Sequence, residues 1–161
     1  MKTLKKAIAT ALFAAAAAFV TPALAQDASP VSLSGDVKAV VTSVDAEGKE
    51  TTQMVEPSTI VPGDRLVFGT DYANTGAEPV KNFVVTNPLP APVRLAPDAD
   101  ADLIVSVDGG ETWGTLASLS VTSDGGSARS AQHSDVTHVR WTLAEIAPGE
   151  SGRLEYPAII R

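Results

Sequence analysis

The octapeptide SVDGGETW brings Ser106, Asp108, Gly110, Thr112 and Trp113 within eight residues. A carboxylate beside two hydroxyls and an indole in so short a stretch raises the question of whether the string does chemistry. Just upstream, Asp98, Asp100 and Asp102 alternate along the chain, and with Asp108 they offer the hard oxygen donors that calcium takes. His133 and His138 are the only histidines, and serines at 118, 120, 123, 127, 130 and 134 surround the first of them.

Each candidate also has a plainer reading. In SVDGGETW, Asp108 can accept hydrogen bonds from turn amides, Gly109 and Gly110 supply positive φ, Thr112 adds a hydroxyl bond and Trp113 packs beneath the hairpin. The string fits S-x-D-x-G-x-T-W and resembles the Asp-box of sialidases and other glycan-processing β-propellers. That resemblance implies a brace on a blade edge, away from the active site. A propeller needs at least four blades of about 40 residues, roughly 160 in all, and the chain beyond its leader is shorter and holds one box. A sialidase would also need clustered arginines and a tyrosine nucleophile, whereas Tyr72 is expected on the core face of its strand. No catalytic residues are assigned, and the chain is not expected to be an enzyme.

The acidic run departs from an EF-hand, because Leu103 stands where glycine is needed and Gly109 where a bidentate Glu belongs. Asp98, Asp100, Asp102 and Asp108 remain candidate calcium ligands of an irregular sandwich loop, against the alternative of a solvated acidic loop. A structural zinc site wants four ligands, and no Cys or further His completes one. Met54 is the only methionine beyond the leader, which leaves no thioether set for copper. The serines have no G-x-S-x-G elbow to hold them. No cofactor is expected.

The first 25 residues read as a secretory signal peptide. Lys2, Lys5 and Lys6 precede an apolar run of about fourteen residues, short of the roughly twenty that span a bilayer, and Ala23-Leu24-Ala25 is an A-x-A cleavage site. No Cys follows it, so the lipoprotein route is closed, and the product is expected in the periplasm or outside the cell. Its 136 residues, 26–161, suit one domain. The chain carries −7, and loss of three leader lysines takes it from −7 to −10. So acidic a surface lacks the cationic stripe that nucleic acid or anionic lipid requires, so neither partner nor membrane insertion after cleavage is expected. Without cysteine, apolar burial must hold the fold unaided.

Beyond the leader the apolar period is two, in short segments bounded by Gly, Pro, Asn and Asp, which predicts an all-β sandwich. Strands are expected over residues 31–44, 50–56, 64–73, 80–86, 103–107, 113–121, 136–143 and 152–160. Residues 45–48 and 147–150 supply turns. Leu66, Phe68, Thr70 and Tyr72 are expected to face the core, with Arg65, Val67, Gly69 and Asp71 outward. On the 136–143 strand, Val139, Trp141 and Leu143 point in, and His138, Arg140 and Thr142 out. The Pro-rich crossover 89–102 and the small polar segment 122–135 are expected as loops, the latter mobile. Seven to eight strands at this spacing fit an immunoglobulin-like Greek-key sandwich.

Pro62-Gly63-Asp64, Tyr72-x-Asn74-x-Gly76, Pro88-Leu89-Pro90, Trp141 and Pro148-Gly149-Glu150 together resemble the bacterial conserved-repeat domain, the domain of unknown function eleven. The similarity covers residues 55–160. It implies an immunoglobulin-like module of envelope and surface proteins whose role is structural. Asn87 stands where that family usually has Asp, and one copy is present where the family tends to repeat. The expectation is therefore a non-enzymatic module that presents surfaces to an envelope or extracellular protein. Residues 122–135, residues 89–102 and the open sheet edges are its contact elements, and a glycan or calcium is the alternative ligand.

Overall fold

The computed structural model describes residues 29–122 and 126–161. The secretory leader expected over residues 1–25 lies outside them. Period-two alternation produces eleven strands: β1 (Val31–Val44), β2 (Glu50–Val55), β3 (Arg65–Asn74), β4 (Val80–Pro88), β5 (Val93–Leu95), β6 (Ile104–Ser106), β7 (Gly114–Thr115), β8 (Ser120–Thr122), β9 (Ala128–Ser130), β10 (His138–Ile146) and β11 (Ser151–Ile160). Two 3-10 turns, Leu116–Ser118 and His133–Asp135, complete the elements. One sheet runs β2-β1-β3-β11-β5, the other β4-β10-β6-β7, and β8-β9 is a separate hairpin. Every pairing among the described residues is antiparallel, and five of the eight join strands that are not consecutive in the chain, giving the all-β sandwich that the pattern predicts.

The two sheets bury a common core. Leu66 of β3, Val105 of β6, Val139 of β10 and Tyr156 and Ala158 of β11 belong to one buried cluster, against which Phe68 and Trp141 pack. Tyr156 is central: it stacks on Phe68 at 5.1 Å and meets Trp141 of the opposite sheet at 6.2 Å. Burial pushes its phenol up to about 12. At one end of the sandwich, buried Asn74 donates through Nδ2 to the carbonyls of Glu78 and Ile146 (both 2.9 Å), and its Oδ1 accepts the amide of Gly76. One side chain thus ties the end of β3 to its own turn and to the end of β10.

The outer face of the first sheet is ionic. Gly69 has no Cβ, and the Arg153 guanidinium lies over it between Asp36 (2.6 Å) and Asp71 (3.0 Å). Val67, expected on this face, is nonetheless only 8% exposed. Its strand is central, and Lys38 and Pro157 flank it in register on either side.

Three other expectations need correction. The crossover 89–102 contains β5, which pairs with β11. The expected strand over 113–121 is broken into β7, a 3-10 turn and β8. Of the segment expected as a loop over 122–135, residues 123–125 lie outside the described residues; residues 128–130 pair with 120–122, and Asp135 caps its own turn by accepting the Gln132 amide at 2.8 Å. These additions raise the strand number from the expected seven or eight to eleven among the described residues. Pro88 is tolerated inside β4 because β4 is the outer strand of its sheet.

Candidate functional site

SVDGGETW forms the turn between β6 and β7. Gly109 (φ +84°) and Gly110 (φ +98°) adopt the left-handed region, and Asp108 folds back over the turn. Its Oδ1 accepts from the Ser106 hydroxyl at 2.6 Å and from the amides of Glu111 and Thr112 at 3.1 and 2.9 Å; its Oδ2 accepts the Thr112 amide again at 3.0 Å. These bonds, that of Ser106 first, hold the Asp108 carboxyl well below the usual carboxylate range. Ser106, fully buried, also accepts the Gly110 amide at 2.9 Å, and the Trp113 indole donates to the Gly110 carbonyl at 2.8 Å. Thr137, next to β10, receives the Gly109 amide at 3.1 Å and so links the turn to the sheet.

This arrangement engages the groups that could have done chemistry. The Trp113 ring carries the Arg140 guanidinium 3.5 Å from its centroid, with His138 at its edge. The stack was not legible locally, since Arg140 is 27 positions away. It follows only once β10 pairs with β6, His138 opposite Ser106.

The candidate calcium ligands do not come together. Asp98 is bidentate to Arg65 at 2.7 and 2.8 Å, an ion pair that lowers its carboxyl. Asp100 caps its own turn by accepting the Asp102 amide at 2.9 Å, and Asp108 is engaged as described. Among the described residues no group of three or more His, Cys, Asp or Glu could hold a metal ion. For Asp98, Asp100, Asp102 and Asp108, alternate spacing in sequence thus became separate local caps and an ion pair. Tyr72 of β3 is half-buried beside Gly152. His133 lies in the second 3-10 turn and His138 on β10.

Two other regions leave groups unengaged. The first is a cleft of about 700 Å³ on one side of the sandwich. Buried Leu95, Leu103 and Val105 line it together with Leu116, and Arg94, Asp100, Gln132 and His133 add polar groups. Residues of the crossover between 94 and 101 and residues 131–134 after β9 both belong to its lining, so the two expected contact segments share one feature. Arg161 holds it together, donating to the carbonyls of Val93 and Ser134, both at 2.8 Å.

The second region is an arm. β1 pairs with β3 only as far as Ala39, where its pairing with β2 begins. Beyond that point β1 and β2 form a two-stranded ribbon whose residues 41–55 are exposed. Val44 is 62% and Met54 58% exposed, and Val41 and Val55 add to the apolar surface. β2 is also the outer strand of its sheet. The Asp45 amide donates to the Lys49 carbonyl, and antiparallel alternation from that pair turns the Thr52 and Met54 amides toward the open edge.

No protein-family model matches the chain, and neither a curated protein nor a solved structure matches it. Among the described residues no helix is long and apolar enough to cross a membrane.

Proposed function

We propose that the chain is an exported, non-enzymatic interaction module of the bacterial cell envelope, a single copy of a conserved-repeat-like domain, and that it binds another envelope or extracellular protein by strand addition along β2. The observation that carries this reading is the arm. A two-stranded ribbon is marginal in water, and an apolar edge strand invites pairing with a further strand. Here that edge carries no proline, and its amides at Thr52 and Met54 face outward. Main-chain bonds would give affinity, and Val44 and Met54 would give the contact its side-chain specificity.

A glycan is the weaker alternative. A sugar wants an open aromatic face, and Trp113 already bears Arg140 on one side. The absence of an enzymatic role rests on the same logic: Asp98 and Asp108, the most chemical-looking carboxylates, are engaged in holding the fold.

A photo-crosslinking amino acid at Gln53, introduced into the protein in its bacterial host, tests the proposal. We expect a light-dependent adduct of defined mass that disappears in Thr52→Pro, which blocks the open edge and leaves the β1–β2 ladder intact. Failure to trap any protein at Gln53, or an adduct indifferent to Thr52→Pro, would overturn it.

A further inference from the structure

The cleft between the crossover and the second 3-10 turn supports an inference that stands apart from the arm. Five of the six arginines beyond the leader have partners: Arg65 with Asp98, Arg129 with Asp135, Arg140 over Trp113, Arg153 with Asp36 and Asp71, and Arg161 with two carbonyls. Arg94 has neither an ion pair, a hydrogen bond from its side chain nor an aromatic partner among the described residues. In so acidic a chain, a guanidinium with no partner of any kind is conspicuous. The nearest acid of the crossover to have found an arginine, Asp98, went to Arg65, and Asp100 is engaged with the Asp102 amide.

Arg94 is half-buried and lines the cleft beside Leu95, Leu103, Val105 and Leu116. A cavity of about 700 Å³ lies within the size range of small-molecule sites, which are mostly apolar with a few polar groups that fix orientation. We propose that this cleft binds a small amphipathic monoanion, an unbranched aliphatic carboxylate of medium length, with its chain on the leucine and valine floor and its head group on Arg94. Three features select that class. The floor has no phenyl or indole ring to stack on an aromatic ligand. A planar guanidinium matches a carboxylate through two parallel hydrogen bonds. A single cation with Asp100 nearby favours one negative charge over the two of a phosphate monoester.

Decanoate below its micelle concentration is the probe, followed by NMR on the purified domain, with decanol as the neutral counterpart of the same length. We expect saturable shifts confined to residues 94–105, 116 and 131–134, with decanoate at least tenfold tighter than decanol. Arg94→Ala should remove that difference and Arg94→Lys, which keeps the charge without the fork, should retain part of it. Leu116→Trp, filling the cleft, should abolish binding of both. Absence of saturable shifts, equal affinity for decanoate and decanol, or shifts centred on Val44 and Met54, the mark of detergent-like adsorption, would each overturn the proposal. None of these results bears on strand addition at β2, which is read by crosslinking in cells.

Discussion

The SVDGGETW turn and the β1–β2 arm invert what their sequences suggest. The turn holds a carboxylate, two hydroxyls and an indole, and it looks like a place for chemistry. In the fold Asp108 collects four hydrogen bonds, Ser106 is buried among them, and Trp113 is capped by Arg140. The arm, ETTQMV against the end of β1, holds no such combination of carboxylate, hydroxyls and indole, yet its edge amides and apolar side chains face solvent. Bonding capacity remains open in the arm and at Arg94 of the cleft, not in the turn.

Three changes in the turn and the arm, with one on the ionic face of β3 between them in size, test this contrast, beginning with the largest effect. Ser106→Ala removes a buried hydroxyl that both donates and accepts, and should lower unfolding free energy by about 2 kcal/mol in denaturant titration. Partner capture at the arm should be unchanged under conditions where the variant remains folded. Next comes pH. Asp108 is held below its unfolded value, so its contribution is present above about pH 4 and is lost as the pH falls through and below that range. Asp108→Asn should therefore be less stable than the parent at neutral pH, and the gap should close on acidification in thermal melts; a constant gap would mean that the charge on Asp108 is irrelevant to the turn.

Gly69→Ala comes third. A Cβ there would meet the Arg153 guanidinium and displace it from Asp36, with only a small fall in the thermal midpoint expected, because such pairs are solvent-screened. Smallest in stability is Val44→Thr with Met54→Thr. Both side chains are exposed, so the pair should shift unfolding by no more than about 0.5 kcal/mol. Its effect on binding should nevertheless be the greater of the two regions, since it strips the arm of its apolar contacts.

The difference between turn and arm also marks what could be read from sequence. The turn is local: Asp108, two glycines and Trp113 lie within six residues, so its hairpin geometry follows from short-range rules. Long alternating runs such as VRWTL likewise gave β10 away. The arm could not be read in the same way, because VSLSGDVKAVVTSV alternates throughout and nothing in it announces that β3 stops pairing at Ala39. β5 was hidden for a related reason. Val93, Arg94 and Leu95 lie between Pro92 and Pro97, and only the presence of Ala158 and Ile159 opposite makes them a strand. The cleft follows from that pairing together with the placement of residues 131–134, so its lining is tertiary in origin.

The acidic residues teach the same lesson in reverse. Alternate Asp98, Asp100 and Asp102 suggested one site, but a strand-start arginine more than thirty positions away took the first of them. Spacing lists the donors; the fold decides which of them stay available.

The most direct test of where the function resides compares Thr52→Pro with Ser106→Ala, each carrying the photo-crosslinker at Gln53. The edge variant should lose its protein adduct while keeping parental stability, and the turn variant should keep the adduct while losing stability. An adduct that survives Thr52→Pro but vanishes in folded Ser106→Ala would contradict strand addition along β2, and would return the function to SVDGGETW.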